Sequence, residues 1–475
     1  MALRDTITPV PPNLKRSDEA LIMVKHKRWI AIVVFLPSLW MAQGSATEGA
    51  ARPEPLVLSL KQAIQLALGP GGNTTAQVAE QSVRLAEAQS AQARAALRPA
   101  VEAAVSGQDQ KLNLAALGFE SIHIPVSGFT FPNSVGPFNT FDARVRIRQD
   151  LLDISAIRRS RAIRSGVQVA QADTAEVRNR VAGEVANSYI AALRADAAAQ
   201  TADASVTLAE ALLKQAEDRR DAGKGLGIDV TRARAELAVE RQRKLAAEIE
   251  RTKVRLQLLR SLGLSLDTRV ELSDSLTFAP MDPLPVEKAL AVALHSRTDL
   301  AALQKREERV RLRDDAIRSE RWPSLAGYAD YGALGTTVPN SVATYTVGVA
   351  VKMPVFDGGR REARRAETLH EMRQEQLRQK DLRAQVELEV RQALGSLKLA
   401  EQQIHVAEEG LAVAGDELSQ ARRRYEAGVT GNLELVEAQA RLVRSAENRT
   451  AALYTWTAAR IALFESMGTI QEISQ

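Results

Sequence analysis

The side chains best arranged for chemistry in this chain are arginines. Arg144, Arg146 and Arg148 alternate with Ala143, Val145 and Ile147. Alternate residues of a β-strand lie on opposite faces, so the three guanidiniums share one face with Asp142, while Phe141, Ala143, Val145 and Ile147 share the other. Such a strand suits a boundary between water and an apolar phase. Thr344 to Met353 repeats the pattern, with Thr344, Thr346, Gly348, Ala350 and Lys352 opposite Tyr345, Val347, Val349, Val351 and Met353. Covalent chemistry finds no comparable arrangement. The chain contains no Cys, which excludes disulfides, thiolate metal sites, thiol catalysis and lipid attachment to an N-terminal Cys. Histidines 123, 295, 370 and 405 lack metal-ligand spacing, and no nucleophile constellation or phosphate-binding glycine loop occurs. Neither an enzyme nor a cofactor is expected. The 63 basic and 58 acidic residues are interspersed, with a net charge of +5, as on solvated, salt-bridged helices. No basic face with interleaved aromatics appears, so a nucleic-acid partner is not expected either.

These strands must be carried by helices. From Val390 to Ala421 the sequence reads in steps of seven. Val390, Leu397, Ile404, Leu411 and Leu418 form one row, and Ala393, Ala400, Ala407, Ala414 and Ala421 a second. Two apolar rows at a sustained period of seven make the seam of a left-handed coiled coil. The same seam occurs 205 residues earlier, as Val185, Ala192, Ala199, Val206 and Leu213 beside Ser188, Ala195, Ala202, Ala209 and Ala216. The turn after each seam is copied at the same offset. Gly223 and Lys224 match Gly428 and Val429, where glycine stops a helix before a new amphipathic run. Each copy is therefore a long helical hairpin with a tight tip. A repeat this long is a duplicated unit, since solenoid units run to roughly 20–50 residues. At about 1.5 Å per residue each long helix spans roughly 100 Å. Shorter helices should stack end to end along each of them, residues 286–321 along the first and 59–97 along the second.

Residues 1–46 are expected to be a signal peptide, with Met23 the more natural start. Lys25 to Arg28 form a basic region, Trp29 to Trp40 an apolar one, and Gly44-Ser45-Ala46 a small-residue cleavage site. The first repeat is expected over 47–278, with strands at 100–112 and 140–151 and a hairpin at 156–262. The second is expected over 279–475, with strands at 324–336 and 342–355 and a hairpin at 360–468. Residues 112–140 read as a long loop holding Phe119, Phe129, Phe131 and Phe138. The expected class is mainly α, with four membrane strands per chain. About 9–11 tilted residues cross a bilayer as a strand. Arg144, Arg146, Arg148 and Lys352 should line an aqueous lumen, because arginine or lysine facing lipid at the midplane costs about 2–4 kcal/mol. Four strands cannot close a barrel and open edges are not tolerated in hydrocarbon, so several chains must combine. Two would supply eight strands and three would supply twelve.

The chain resembles the TolC-type outer membrane efflux family from about Val57 to Met467. The resemblance is carried by Leu58-Ser59-Leu60-Lys61-Gln62-Ala63, by Pro99 and Pro323 at helix-to-strand passages, and by Pro354-Val355-Phe356-Asp357-Gly358-Gly359-Arg360. The tip Arg424-Tyr425-Glu426-Ala427-Gly428, followed by Leu433 to Gln439, completes it. The resemblance implies a homotrimer with a twelve-stranded barrel in outer membrane lipid and a helical tunnel across the periplasm. Such a duct docks through a periplasmic adaptor to an inner-membrane transporter. It implies a periplasmic constriction at Tyr425, Glu434, Glu437 and Asp229, with adaptor-docking tips at Gly223, Lys224, Gly428 and Val429. Thr430 stands where some members carry a locking arginine. The competing expectation is a periplasmic coiled-coil scaffold or adaptor, which should instead show one hairpin flanked by compact β domains.

Overall fold

The computed structural model describes residues 55–119 and 131–472. The signal segment and Phe129 lie outside the described residues. A short strand β1 (Leu56–Leu58) leads into helices α1 (Leu60–Leu68) and α2 (Thr74–Ala95). Strands β2 (Ala100–Asn113) and β3 (Ser134–Leu152) come next, then the 68-residue α3 (Ile154–Asp221) and its return helix α4 (Gly227–Leu262). After β4 (Val270–Leu272) the plan repeats with α5 (Val286–Ser296), α6 (Thr298–Ser319), β5 (Ser324–Gly335) and β6 (Val342–Lys352). The 67-residue α7 (Arg360–Glu426) and α8 (Asn432–Met467) complete it.

The heptad seams are where the long helices bury themselves. Val185, Ala192, Val206, Ala209 and Ala216 are buried on α3, and Val390, Ala393, Ala400, Ile404, Ala414 and Ala421 on α7. Small residues in one row let neighbouring backbones approach closely. The helices lie side by side as a wall. In one half α2, α3, α6 and α7 adjoin in that order; in the other the order is α4, α3, α8 and α7. Polar ties mark the contacts: Thr174 donates to the Ala79 carbonyl at 3.0 Å, Arg306 meets Asp173 at 2.8 Å, and Arg313 meets Glu371 at 2.9 Å. One expectation fails here. Residues 59–97 do not stack along the second long helix, because α2 lies against α3 and α6 fills the space between α3 and α7.

The four longer strands form one antiparallel sheet in the order β2-β3-β5-β6. Arg144 faces Ala104 and Gly332 across the ladder, Arg146 faces Glu102 and Asp330, and Arg148 faces Ala100 and Tyr328. Pairing therefore brings all the polar faces to one side of the sheet. The other side is largely apolar and exposed, with Val101 66%, Val105 72%, Tyr345 76%, Val347 75% and Val351 71% accessible, and carries Asp109, Asn139 and Gln149 toward its ends. Strand β3 begins at Ser134, six residues before the expected 140, and shortens the loop. Phe138 belongs to the strand, opposite Gln110, and not to the loop. Gly136 and Pro137 conceal this strand because both are depleted from strands in general. Strand β6 stops at Lys352, short of the expected 355, where Pro354 lacks a ladder donor.

Two further strands were illegible in the sequence. β1 and β4 pair in parallel, Leu56 with Val270 and Leu58 with Leu272, so the linker after α4 is tied to the start of α1. Buried Tyr189 secures the join, donating from its hydroxyl to the Leu58 carbonyl at 2.8 Å and to Asp274 at 3.0 Å. Asp274 also accepts from the Leu60 amide at 2.8 Å, and Ser59 and Gln62 form a capping box. Close by, α4 ends on Gly263 at φ +77°, where an added Cβ would meet the Gly72 carbonyl oxygen at 2.3 Å. Replacing Gly263 with alanine is expected to destabilise the protein by about 1–3 kcal/mol, through a left-handed backbone and a backbone clash together. A clearly lowered thermal unfolding midpoint is the expected result, and an unchanged one would refute this account of the join.

Candidate functional site: the lumen face and the hairpin tips

On the polar face of the sheet Arg144 is bonded to Asp142 at 2.7 Å and to Asp330 on β5 at 3.1 Å. Gly332 makes this possible, because a Cβ there would come within 2.3 Å of the Arg144 Cβ. Arg146, Arg148 and Lys352 are exposed. The four predicted lumen cations thus share one face, but Arg144 is spent on binding strands together and the other three stand exposed.

The two tips close in the same way, 205 residues apart. Gly223 and Gly428 take φ +71° and +73°. The Lys224 amide donates to the Arg219 carbonyl at 2.8 Å, and the Val429 amide to the Arg424 carbonyl at 3.0 Å. These six-to-one bonds satisfy the last helix carbonyls. Lys224 and Val429 stand exposed at the ends, and Leu226, Ile228 and Leu433 add exposed apolar surface beside them.

Tyr425 does not stand free at the tip. It is 3% exposed, packed with Leu212, Ala421, Leu435 and Ala438. The Arg219 guanidinium lies 4.3 Å from its ring centroid and donates to its carbonyl. Burial pushes the Tyr425 hydroxyl pKa up, Arg219 opposes this, and nearby Asp229 adds to it. Asp229 itself is buried in the first turn of α4 and accepts from the Leu226 amide at 3.4 Å. Glu434 pairs with Arg424 at 2.9 Å, and Glu437 lies 3.8 Å from Arg441. The structure therefore brings Tyr425 and Asp229 together and supplies each glutamate with an arginine of its own chain.

Sequence reasoning missed Arg219, although the repeat held the signal. Arg219 is the copy-one counterpart of Arg424, at the same offset of 205. Arg424 pairs across its own hairpin, whereas Arg219 reaches over to the other hairpin. Among the described residues no cluster of His, Asp and Glu could hold a metal ion. His405 packs edge-on against Phe278, centroids 5.8 Å apart. No described helix is long and apolar enough to cross a membrane.

A sequence match to the family described as outer membrane efflux protein covers residues 71–264 and 289–469. The chain belongs to this family. It is therefore an outer membrane protein of efflux, and the periplasmic scaffold is set aside. A curated relative, the pyoverdine export outer membrane protein OpmQ of Pseudomonas putida, is 23% identical over 418 residues, spanning 86% of this chain and 85% of the relative. Among solved structures the fold is similar to that of the outer membrane protein VceC from Vibrio cholerae, with a TM-score of 0.70 at 18% identity over 86% of this chain and 96% of that one. The CmeC outer membrane channel of Campylobacter jejuni gives a TM-score of 0.72 at 16% identity, covering 91% of this chain and 94% of that one.

One buried acid of this efflux protein lies away from both regions. Glu240 on α4 is 1% exposed; one carboxylate oxygen accepts from Arg243 at 2.6 Å and the other has no partner among the described residues. Burial pushes its pKa up, Arg243 pulls it down, and Glu236 and Glu447 on α8 push it up again. An acid whose folded pKa is raised contributes stability at low pH and loses it as pH rises through the folded value. Wild type should thus gain on Glu240→Gln as pH falls from neutral toward the ordinary carboxylate range. Parallel melting profiles for the two proteins across that range would contradict this.

Proposed function

We propose that the protein is the exit duct of a tripartite efflux system, a homotrimer open to solutes handed over by an inner-membrane transporter through a periplasmic adaptor. The observation that carries this is the sheet. Its four strands are long enough to cross a membrane, and the sheet has one largely apolar exposed face and two open edges, β2 and β6. Open edges in hydrocarbon must be paired, and the β6 edge of one copy can meet the β2 edge of the next. Three copies would give twelve strands.

The helical wall supports the same closure. One flank is formed by α7, the other by α2 and α4. Both flanks carry exposed apolar rows at heptad spacing: Leu399, Val406 and Val413 on α7, Val78 and Leu85 on α2, Ile249 and Leu256 on α4. On a lone chain these rows lie in water; in a ring each would cover the next copy's flank. This also accounts for the failed stacking expectation, since α2 would meet α7 of a neighbouring copy instead of its own.

In this reading Arg146, Arg148 and Lys352 line the barrel lumen. Tyr425, Asp229, Glu434 and Glu437 line the periplasmic constriction, with Gly223, Lys224, Gly428 and Val429 offered to the adaptor. The duct performs no chemistry, and energy comes from the transporter. The test is the mass of the mature protein extracted from outer membranes in mild detergent. Three chain masses are expected; a single chain or a dimer would overturn the duct. At the constriction, six glutamates from three copies favour cations, although Arg424 and Arg441 offset them. Glu434→Gln with Glu437→Gln is therefore expected to lower cation preference in single-channel recordings by a modest factor, and unchanged selectivity would remove both residues from the constriction.

A further inference from the structure

Four junctions join the sheet to the helices, and each has an exposed arginine at it or within about two helical turns of it, with no ion-paired acid among the described residues. Arg98 precedes β2, Arg161 lies about two turns into α3, Arg321 precedes β5, and Arg360 opens α7. Four of the nearby acids are engaged elsewhere. Asp153 caps α3 by accepting from the Ala156 amide at 2.8 Å, and Asp357 holds Arg361 at 2.8 Å. Glu320 is shared by Arg159 and Arg364, and Asp314 by Arg318 and Arg365. Exposed apolar residues sit at the same level. Leu151 is 53% accessible, Trp322 54%, Val355 88% and Phe356 86%.

We propose that these junctions form a collar that binds the headgroups of anionic phospholipids in the periplasmic leaflet of the membrane. The inference rests on the sheet crossing that membrane with the helices on the periplasmic side. Guanidinium groups bind phosphate oxygens in a planar, bidentate fashion, and tryptophan settles where acyl chains meet headgroups. The exposed apolar face of β6 continues through Met353 and Val355 toward Arg360, so the surface is continuous with the lipid-facing band. Phosphates of the opposite leaflet would lie at the far, hairpin end of the strands, away from all four arginines. Juxtamembrane basic clusters are attracted to anionic leaflets in the same way.

The test uses the full mature chain in mild detergent and in vesicles. Thermal unfolding is followed in vesicles of phosphatidylcholine alone and of an equal mixture with phosphatidylglycerol, for wild type and for a variant carrying Arg98→Gln, Arg161→Gln, Arg321→Gln and Arg360→Gln. Wild type is expected to melt several degrees higher in the mixture and to retain phosphatidylglycerol in native mass spectrometry. The variant should lose both effects while still fractionating with outer membranes. Should the fourfold variant fail to fold, the pair Arg321→Gln and Arg360→Gln is expected to lose part of the shift. Equal melting of wild type in both vesicles, or a full shift in either variant, would overturn the collar. Absence of wild type from the outer membrane fraction would instead overturn the membrane-crossing sheet on which it rests.

Discussion

Replacing Val347 with arginine is expected to keep the protein out of the outer membrane. Val347 lies mid-strand in β6, opposite Ala329, and is 75% exposed on the apolar face. Its same-face neighbours Tyr345 and Val349 are 76% and 64% exposed. A soluble sheet would gain by presenting a cation to water there. A sheet facing lipid loses about 2–4 kcal/mol for each arginine near the midplane, and the proposed threefold assembly would repeat that loss in every copy. The control is Thr346→Arg, one residue away and on the polar face, opposite Asp330. It should be tolerated, since Asp330 already accepts a guanidinium from Arg144. Outer-membrane yield is the measurement. Comparable yields of the two variants would mean that the apolar face does not meet lipid.

The second large effect is expected on the helical flank. Val406 and Val413 are 69% and 62% exposed, seven residues apart on α7, with Leu399 one heptad earlier. Fully burying a valine is worth about 1.5–3 kcal/mol, and an isolated buried carboxylate costs considerably more. The double variant Val406→Glu, Val413→Glu should therefore run as a single chain in mild detergent, with helix content unchanged because both side chains leave the buried seam of Ile404 and Ala414 intact. Persistence of three chain masses would show that α7 does not meet another copy. Loss of helical signal would show instead that the row packs within the chain.

How much of this was legible depends on the range of the interaction. The seams from Val185 and Val390 could be read directly because a helix buries what recurs every seven residues, and burial follows those rows. The strand faces were legible for the same reason at a period of two. Once Arg146 faces Asp330, every alternate residue of four strands is assigned to a side. The tips were legible because a left-handed turn calls for Gly223 and Gly428. Strand β3 was cut short because Gly136 and Pro137 interrupt a local pattern that pairing with β2 overrides.

The amino-acid sequence by itself determined the duplication, the long hairpins, the two-faced strands and the family, all of which are written in local periodicity or ordered motifs. Only the tertiary structure decided which elements meet. Three residues such as Leu56–Leu58 carry no sign that their partner is Val270–Leu272, more than two hundred positions away. Nothing local distinguishes Arg219, which crosses to Tyr425, from its twin Arg424, which stays with Glu434. Nor does the sequence show that α2 turns its back on α7, leaving apolar rows exposed on both flanks. Contacts of this kind are set by how rigid helices and a single sheet fit around one another, and that fit is a property of the whole fold.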